Sequence, residues 1–269
     1  MNQVWRDRAA VVPATLVIAV LFGGAMAGAV RTSVVPLDGA PSLDVWRALF
    51  DDPAFLDSLR FTAQITALST VLSVLLALAA ALALRRSSTL LRTLLALPVP
   101  VPHLLVAVTA VLWLAPGGLA ERVLGGLPFD LVGDRHGLGV VLVYVYKETP
   151  FLALLLLAAM GDELAGREEA AAVHGVRPLQ RLRWVVWPAV RRPLVTGALI
   201  VAAFVLGAFE VPLLVGPAYP GTVAEYAQQA TKGDLIAGEG TAAAALLVTA
   251  AVAAVLALVA VRVARGGRR

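Results

Sequence analysis

The chain has 269 residues, 59% of them hydrophobic, and a mean hydropathy of +0.84, well above what a soluble protein of this length carries. It contains no cysteine, which excludes a disulfide framework and a thiolate metal site. Its basic excess, 22 Lys and Arg against 18 Asp and Glu, lies in short clusters between apolar runs rather than along one soluble face, and this argues against a nucleic-acid partner.

A helix that crosses a bilayer needs roughly 20 mostly apolar residues, and six segments meet that length. The first, Ala9 to Val30, is uncharged. It carries the small-x-small triplet Ala25-Met26-Ala27, but its 22-residue uncharged run exceeds the apolar core of a signal peptide, so a retained span is expected. Ser42 then stands as the N-cap of a short amphipathic helix bearing Val45, Trp46, Leu49 and Phe50, which Pro53 ends. Phe61 to Leu84 is the second span and Thr93 to Pro116 the third, with Pro98, Pro100 and Pro102 crowded near its start. Gly137 to Met160, the fourth, is interrupted by Lys147 and Glu148, and Pro193 to Gly216, the fifth, by Glu210. Residues 217–239 read as a solvated connector with turn chemistry at Pro220-Gly221 and Gly238. Gly240 to Val261 is the sixth span, and no internal repeat supports an inverted-repeat transporter.

Six spans put both termini on one side, and the positive-inside rule makes that side the cytoplasm: 15 basic residues then lie inside and 6 outside. The fold expected is an all-α polytopic membrane protein, a single transmembrane domain over residues 1–269 with its core at about 55–262. The longest polar gap, residues 161–192, becomes a cytoplasmic loop. From Asp162, Leu164, Glu168, Ala171 and Ala172 recur at helical spacing. Gly175 fits a helix C-terminus and Pro178 the first turn of a second helix, expected to stop at Pro188, although Arg177 is a poor N-cap. Two short helices joined at a glycine form a knob that another protein can grip. Ala170 and Ala171 permit close approach, Arg181 and Arg183 offer positive charge, and Glu169 can bind backbone donors or an arginine and so fix the angle between the helices.

That loop reads Glu169-Ala170-Ala171, three residues, Gly175, nine residues, Val185-Val186-Trp187-Pro188. It resembles the EAA loop of binding-protein-dependent ABC importer permeases of type I, written E-A-A, three residues, G, nine residues, I-x-L-P, with Val185 in place of Ile and Trp187 in place of Leu. Leu97-Pro98-Val99-Pro100-Val101-Pro102 is similar to the proline-rich entry of a permease helix. Tyr146-Lys147-Glu148-Thr149-Pro150-Phe151 and Gly207-Ala208-Phe209-Glu210-Val211-Pro212 are similar to segments before and after the loop. The resemblance implies a multi-pass permease of the inner or plasma membrane. Its expected partners are two ABC ATPase subunits, a second permease (the same chain or a homologue), an external solute-binding protein and the lipid bilayer. It implies ATPase coupling through Glu169, Ala170, Ala171, Gly175, Arg181, Arg183 and Pro188.

No cofactor of its own and no metal are expected, with ATP bound by the partner. The two lysines, Lys147 after Tyr146 and Lys232 after Thr231, cannot complete a P-loop, and His103, His136 and His174 have no metal-ligand spacing. The chain is therefore not expected to be an enzyme. Charges within a span are costly unless paired or hydrated, which makes Lys147, Glu148 and Glu210 the candidates for a solute pathway. Neighbours along a helix do not face each other, so Lys147 and Glu148 need separate partners. Glu210 is a candidate for Lys147, as a structural ion pair or beside a solute. The acidic outer loops and the two glutamates lean toward a polyamine or other organic cation, with an oxyanion permease and an ion-coupled secondary transporter as alternatives.

Overall fold

The computed structural model describes residues 3–35, 39–126, 130–234 and 237–266, which leaves Arg268 and Arg269 of the basic count outside the described residues. Every regular element among them is helical. They form α1 (Gln3–Val34), α2 (Asp44–Asp51), α3 (Pro53–Leu84), α4 (Thr89–Ala96), α5 (His103–Leu114), α6 (Leu119–Leu124), α7 (Leu138–Ala159), α8 (Asp162–Val173), α9 (Pro178–Arg181), a π-helical turn (Leu182–Val186), α10 (Trp187–Gly207), α11 (Glu210–Val215), α12 (Val223–Gly233) and α13 (Ala237–Arg265). Six stretches are long and apolar enough to cross a membrane, as the hydropathy pattern predicts.

The chain divides into two compact units, Met1–Leu56 with Tyr226–Val248, and Asp57–Glu225 with Thr249–Arg269. In the first, the N-cap of α2 is Leu43 rather than the expected Ser42, whose hydroxyl, one position earlier, accepts from Asp44 N–H at 3.2 Å, and α2 stops at Asp52 before Pro53 opens α3. Phe50 and Phe55 meet edge to face with centroids 5.7 Å apart, and Phe55 lies 5.5 Å from Tyr226. Tyr226 donates its hydroxyl to Asp52 at 2.6 Å, and burial together with that carboxylate pushes the phenol above its ordinary range. Tyr226 belongs to α12, a helix within the stretch expected to be a plain connector. Its polar residues recur around a helix without the long apolar run that marked the spans.

In the second unit α7 is the most enclosed helix. Val140, Tyr144 and Leu152 on it pack with Ile65 of α3, Ala107 of α5 and Val201 of α10. At Gly197 the backbones of α10 and α7 come so close that a β-carbon would lie 2.7 Å from the Leu152 and Leu155 methyls. A further cluster roots the polar loop: Leu164 of α8 and Val186 of the π-helical turn pack with Ala81, Leu156, Val190 and Leu194.

Two expected spans are broken. The third does not run from Thr93: α4 ends at Ala96, residues 97–101 turn, and the membrane-length stretch begins at His103. Three prolines in alternation remove N–H groups at 98, 100 and 102 and disfavour helix at the residues before them, so no helical ladder can cross this segment. The fifth likewise ends at Gly207, with Ala208 extended, before α11 resumes at Glu210. Its beginning is also earlier than Pro193, because α9, the π-helical turn and α10 follow without a gap. Pro188, expected to stop a helix, lies inside this run.

Candidate functional site

The loop between α7 and α10 closes on Gly175. Its φ is +79°, open to glycine without a β-carbon clash. Gly175 N–H donates to Ala172 O at 2.9 Å and Val176 N–H to Ala171 O at 3.0 Å, the crossed pair of bonds of a Schellman motif that satisfies the last carbonyls of α8. The Arg177 side chain has no acceptor with which to cap α9. Gln180 compensates by accepting the Arg177 backbone N–H on Oε1 at 3.2 Å.

On α8 the two adjacent glutamates have opposite surroundings. Glu168 is buried and accepts from Arg85 Nη1 at 2.8 and 2.9 Å on its two oxygens, with Arg86 at 3.9 Å, which ties the loop to the end of α3. Glu169, expected to brace the two helices, is exposed and has no hydrogen bond or ion pair among the described residues. Its neighbour makes a different tie, to the end of α3 and not to α9, because Glu168 lies one turn beyond Leu164 on the packed face of α8. Ala170 is exposed and Ala171 half-buried, so a small-residue surface remains beside Glu169. Arg183 is exposed, while Arg181 is half-buried with its Nε enclosed and without an acceptor among the described residues.

Pro188 sits in the first turn of α10, directly after the π-helical turn, where Trp187 N–H donates to Leu182 O five residues back. A proline inside an α-helix lacks the N–H for its carbonyl four residues earlier and crowds that carbonyl. The widened turn gives the ring room, and the helix continues instead of stopping.

Midway along α7, Lys147 and Glu148 do find separate partners, but Glu210 is not one of them. Lys147 Nζ donates to three backbone carbonyls of the turn before α5: Pro98 at 2.6 Å, Val99 at 3.1 Å and Val101 at 2.5 Å. The proline-rich break exposes these carbonyls, and the ammonium has one donor for each. Glu148 pairs with His103 Nε2 at 2.9 Å. Glu210 is exposed at the start of α11 and has no partner among the described residues. His103, unremarkable in sequence, also packs against Phe204 with ring centroids 4.7 Å apart. Val99, His103, Lys147, Glu148, Phe151 and Phe204 line a cavity of about 220 Å³, completed by Ile200 and Val201. A separate apolar groove of about 400 Å³ lies between α3 and the π-helical turn.

The family described as "Binding-protein-dependent transport system inner membrane component" matches residues 69–268. Inner membrane ABC transporter permease protein YnjC of Escherichia coli (strain K12) is 31% identical over 220 residues, covering 78% of this chain and 43% of that protein. Protein YdcU of the same strain, likewise described as an inner membrane ABC transporter permease, is 35% identical over 104 residues, 37% of this chain and 33% of that one. The chain thus spans less than half the length of these curated relatives. Its fold is similar to that in the crystal structure of a bacterial alginate ABC transporter in complex with alginate pentasaccharide-bound periplasmic protein, with a TM-score of 0.78 at 19% identity over 95% of this chain and 92% of that one. A bacterial ABC transporter involved in the import of the acidic polysaccharide alginate gives a TM-score of 0.77 at 19% identity, covering all of both chains.

Proposed function

The chain belongs to the family of binding-protein-dependent transport system inner membrane components, multi-pass permeases of ABC transporters, and from this premise we propose that it forms the pathway of an ATP-driven importer whose energy enters through the α8–Gly175–α9 knob. The observation that carries the reading is the surface at Glu169, Ala170 and Ala171: an exposed, unpartnered carboxylate beside one exposed and one half-buried alanine, on a knob whose other face is firmly rooted. A cytosolic ATPase docks there, with a carboxylate of its own against the accessible part of the half-buried Arg181 side chain. The full assembly has two ATPases, a second permease and an external solute-binding protein, and both termini of this chain are cytoplasmic. When the ATPases close on ATP, the knob moves with them. The displacement passes through Leu164 and Val186 to α7 and α10, and through Glu168 and Arg85 to α3.

The solute class favoured is a polyamine or another organic cation. All three Lys147 donors are taken by carbonyls, so the ammonium has none left for an oxyanion. The Glu148 carboxylate and the faces of Phe151 and Phe204 suit a cation with an apolar body. Glu210, exposed at the α11 start, is a further contact on the same pathway.

Glu169→Lys tests the coupling, because an exposed side chain without a partner can be reversed in charge without disturbing the fold. ATP-driven uptake, and stimulation of ATP hydrolysis by the loaded binding protein, are expected to vanish while the protein remains in the membrane at normal level. A His174→Cys probe in the same loop is expected to react only from the cytoplasm. Wild-type uptake in Glu169→Lys overturns the docking assignment.

A further inference from the structure

The groove between α3 and the π-helical turn is lined by apolar side chains, among them Leu78, Leu82, Leu182, Val186 and Val190, and by a single charged one, Arg183. We infer that it is a binding site for one anionic phospholipid, with an acyl chain along the apolar walls and the headgroup phosphate on Arg183.

Leu78 and Leu82 lie in the last two turns of α3, next to Arg85 and Arg86, so the groove opens at the basic end of a membrane-length helix. Arg183 forms no ion pair among the described residues, and no carboxylate lines the groove. Arg85 and Arg86, by contrast, already share Glu168. Trp187 lines the same groove, and Trp184, one residue beyond Arg183, is 63% exposed. Indole rings at that position fit the headgroup level of a bilayer.

Other occupants satisfy fewer of these features. A free phosphate has no use for leucine walls. A second copy related by a two-fold axis through the groove would turn Arg183 toward its own counterpart, setting like charges across an apolar interface. An anionic lipid supplies both the missing negative charge and the apolar chain. This assigns Arg183 to the bilayer and leaves the half-buried Arg181 as the arginine of the docking face.

The test is native mass spectrometry of the full chain, delipidated in detergent and titrated with palmitoyl-oleoyl phosphatidylglycerol or with the phosphatidylcholine of the same chains. One retained phosphatidylglycerol per chain is expected, preferred roughly fivefold over phosphatidylcholine, as one arginine at a membrane surface supplies. Arg183→Gln is expected to erase that preference and Arg183→Lys to keep it, which separates charge from fold. Leu82→Trp, which fills the groove, is expected to reduce retention of both lipids. Equal retention of the two lipids, an unchanged preference in Arg183→Gln, or loss of phosphatidylglycerol to inorganic phosphate overturns the site. Conversion of a dimer to a monomer by Leu82→Trp also overturns it, by showing the groove to be an interface between copies.

Discussion

Two proline-bearing segments of this chain meet the same difficulty in opposite ways. At Pro98, Pro100 and Pro102 the helix breaks, and the carbonyls it frees are gathered by an ammonium from α7. At Pro188 the helix persists, because the turn before it widens to a π-helical register. Proline chemistry is identical at both sites, so the outcome depends on what surrounds it. Alternating prolines leave no helical register to adopt, and a single one can be absorbed by a local change of pitch. The first solution holds an irregular segment against a central helix, and the second lets the knob be continuous with a long apolar helix. One lines a cavity and the other joins the knob to a helix.

The largest effect is expected on removing the ammonium. Lys147→Met leaves the Val99 and Val101 carbonyls without their donor, while Pro98 O retains the Val101 N–H at 3.3 Å. Each bond lost is part-buried and to a charged donor, contributing at most about 1.5–3 kcal/mol, so a total loss of up to about 3–6 kcal/mol is expected. Thermal unfolding in detergent reads it directly. Stability equal to wild type would mean that the break holds itself, and that the two proline segments differ less than their hydrogen bonds suggest.

A smaller effect is expected where the knob is tied to α3. Glu168→Gln keeps the shape but replaces a charged acceptor of Arg85 with a neutral amide, at a cost of about 1.5–3 kcal/mol, the range of a hydrogen bond to a charged group. The knob remains covalently continuous with α10, so uptake is expected to fall more than stability does. Arg85→Met in the same background should add little, since both changes remove one interaction. Additive losses in the double variant would separate the two residues.

Much of this arrangement is visible in the amino-acid order, and the remainder is hidden for identifiable reasons. Apolar run lengths expose all six membrane-length stretches, and the spacing from Glu169 to Pro188 exposes the knob together with the left-handed glycine. The partners of Lys147 are hidden because backbone carbonyls have no side-chain signature, although the prolines that free them are plain. Glu210, the only other isolated acid in the spans, attracts the lysine on paper for want of a visible alternative. Glu168 is placed in phase with Leu164 by its spacing, but its tether to Arg85 is missed because the motif draws attention to the second glutamate and the arginine lies 83 residues away. Helix α12 escapes because a polar helix makes no hydropathy peak; Tyr226 on Asp52 joins distant residues by contact rather than by pattern, while Thr222-x-x-Glu225, a capping box, is a sequence signal that could have found it.

Gly175→Ala addresses the knob without touching its contacts. A β-carbon there meets no atom within 4 Å, so only the backbone at φ +79° opposes it, and a loss of about 1–2 kcal/mol is expected for an L-residue held in that region. Hydrogen exchange at Val176 N–H, the outer bond of the Schellman pair, should accelerate together with the fall in melting temperature. Protection equal to wild type would show that packing at Leu164 and Val186, rather than the turn, orders the loop.

The smallest effect is expected at Pro188, where it also says the most about the comparison. Pro188→Ala restores an N–H and removes the ring that crowds the carbonyl four residues earlier, so the local obstacle to an ordinary α-helix disappears. Converting the π-helical turn to α would nonetheless remove one residue's offset and rotate everything before it by about 100° relative to α10. That rotation is resisted by Leu164 in its cluster and by Glu168 on Arg85, both of which would leave their seats. The π-helical turn is therefore expected to survive, with stability changed by less than about 0.5 kcal/mol and uptake close to wild type. A melting curve and hydrogen exchange from Leu182 to Trp187 check this. If exchange shows instead that Trp187 N–H has moved from Leu182 O to a tighter bond and uptake collapses, the proline itself sets the register, and the two segments are alike in being governed by their prolines rather than by what holds them.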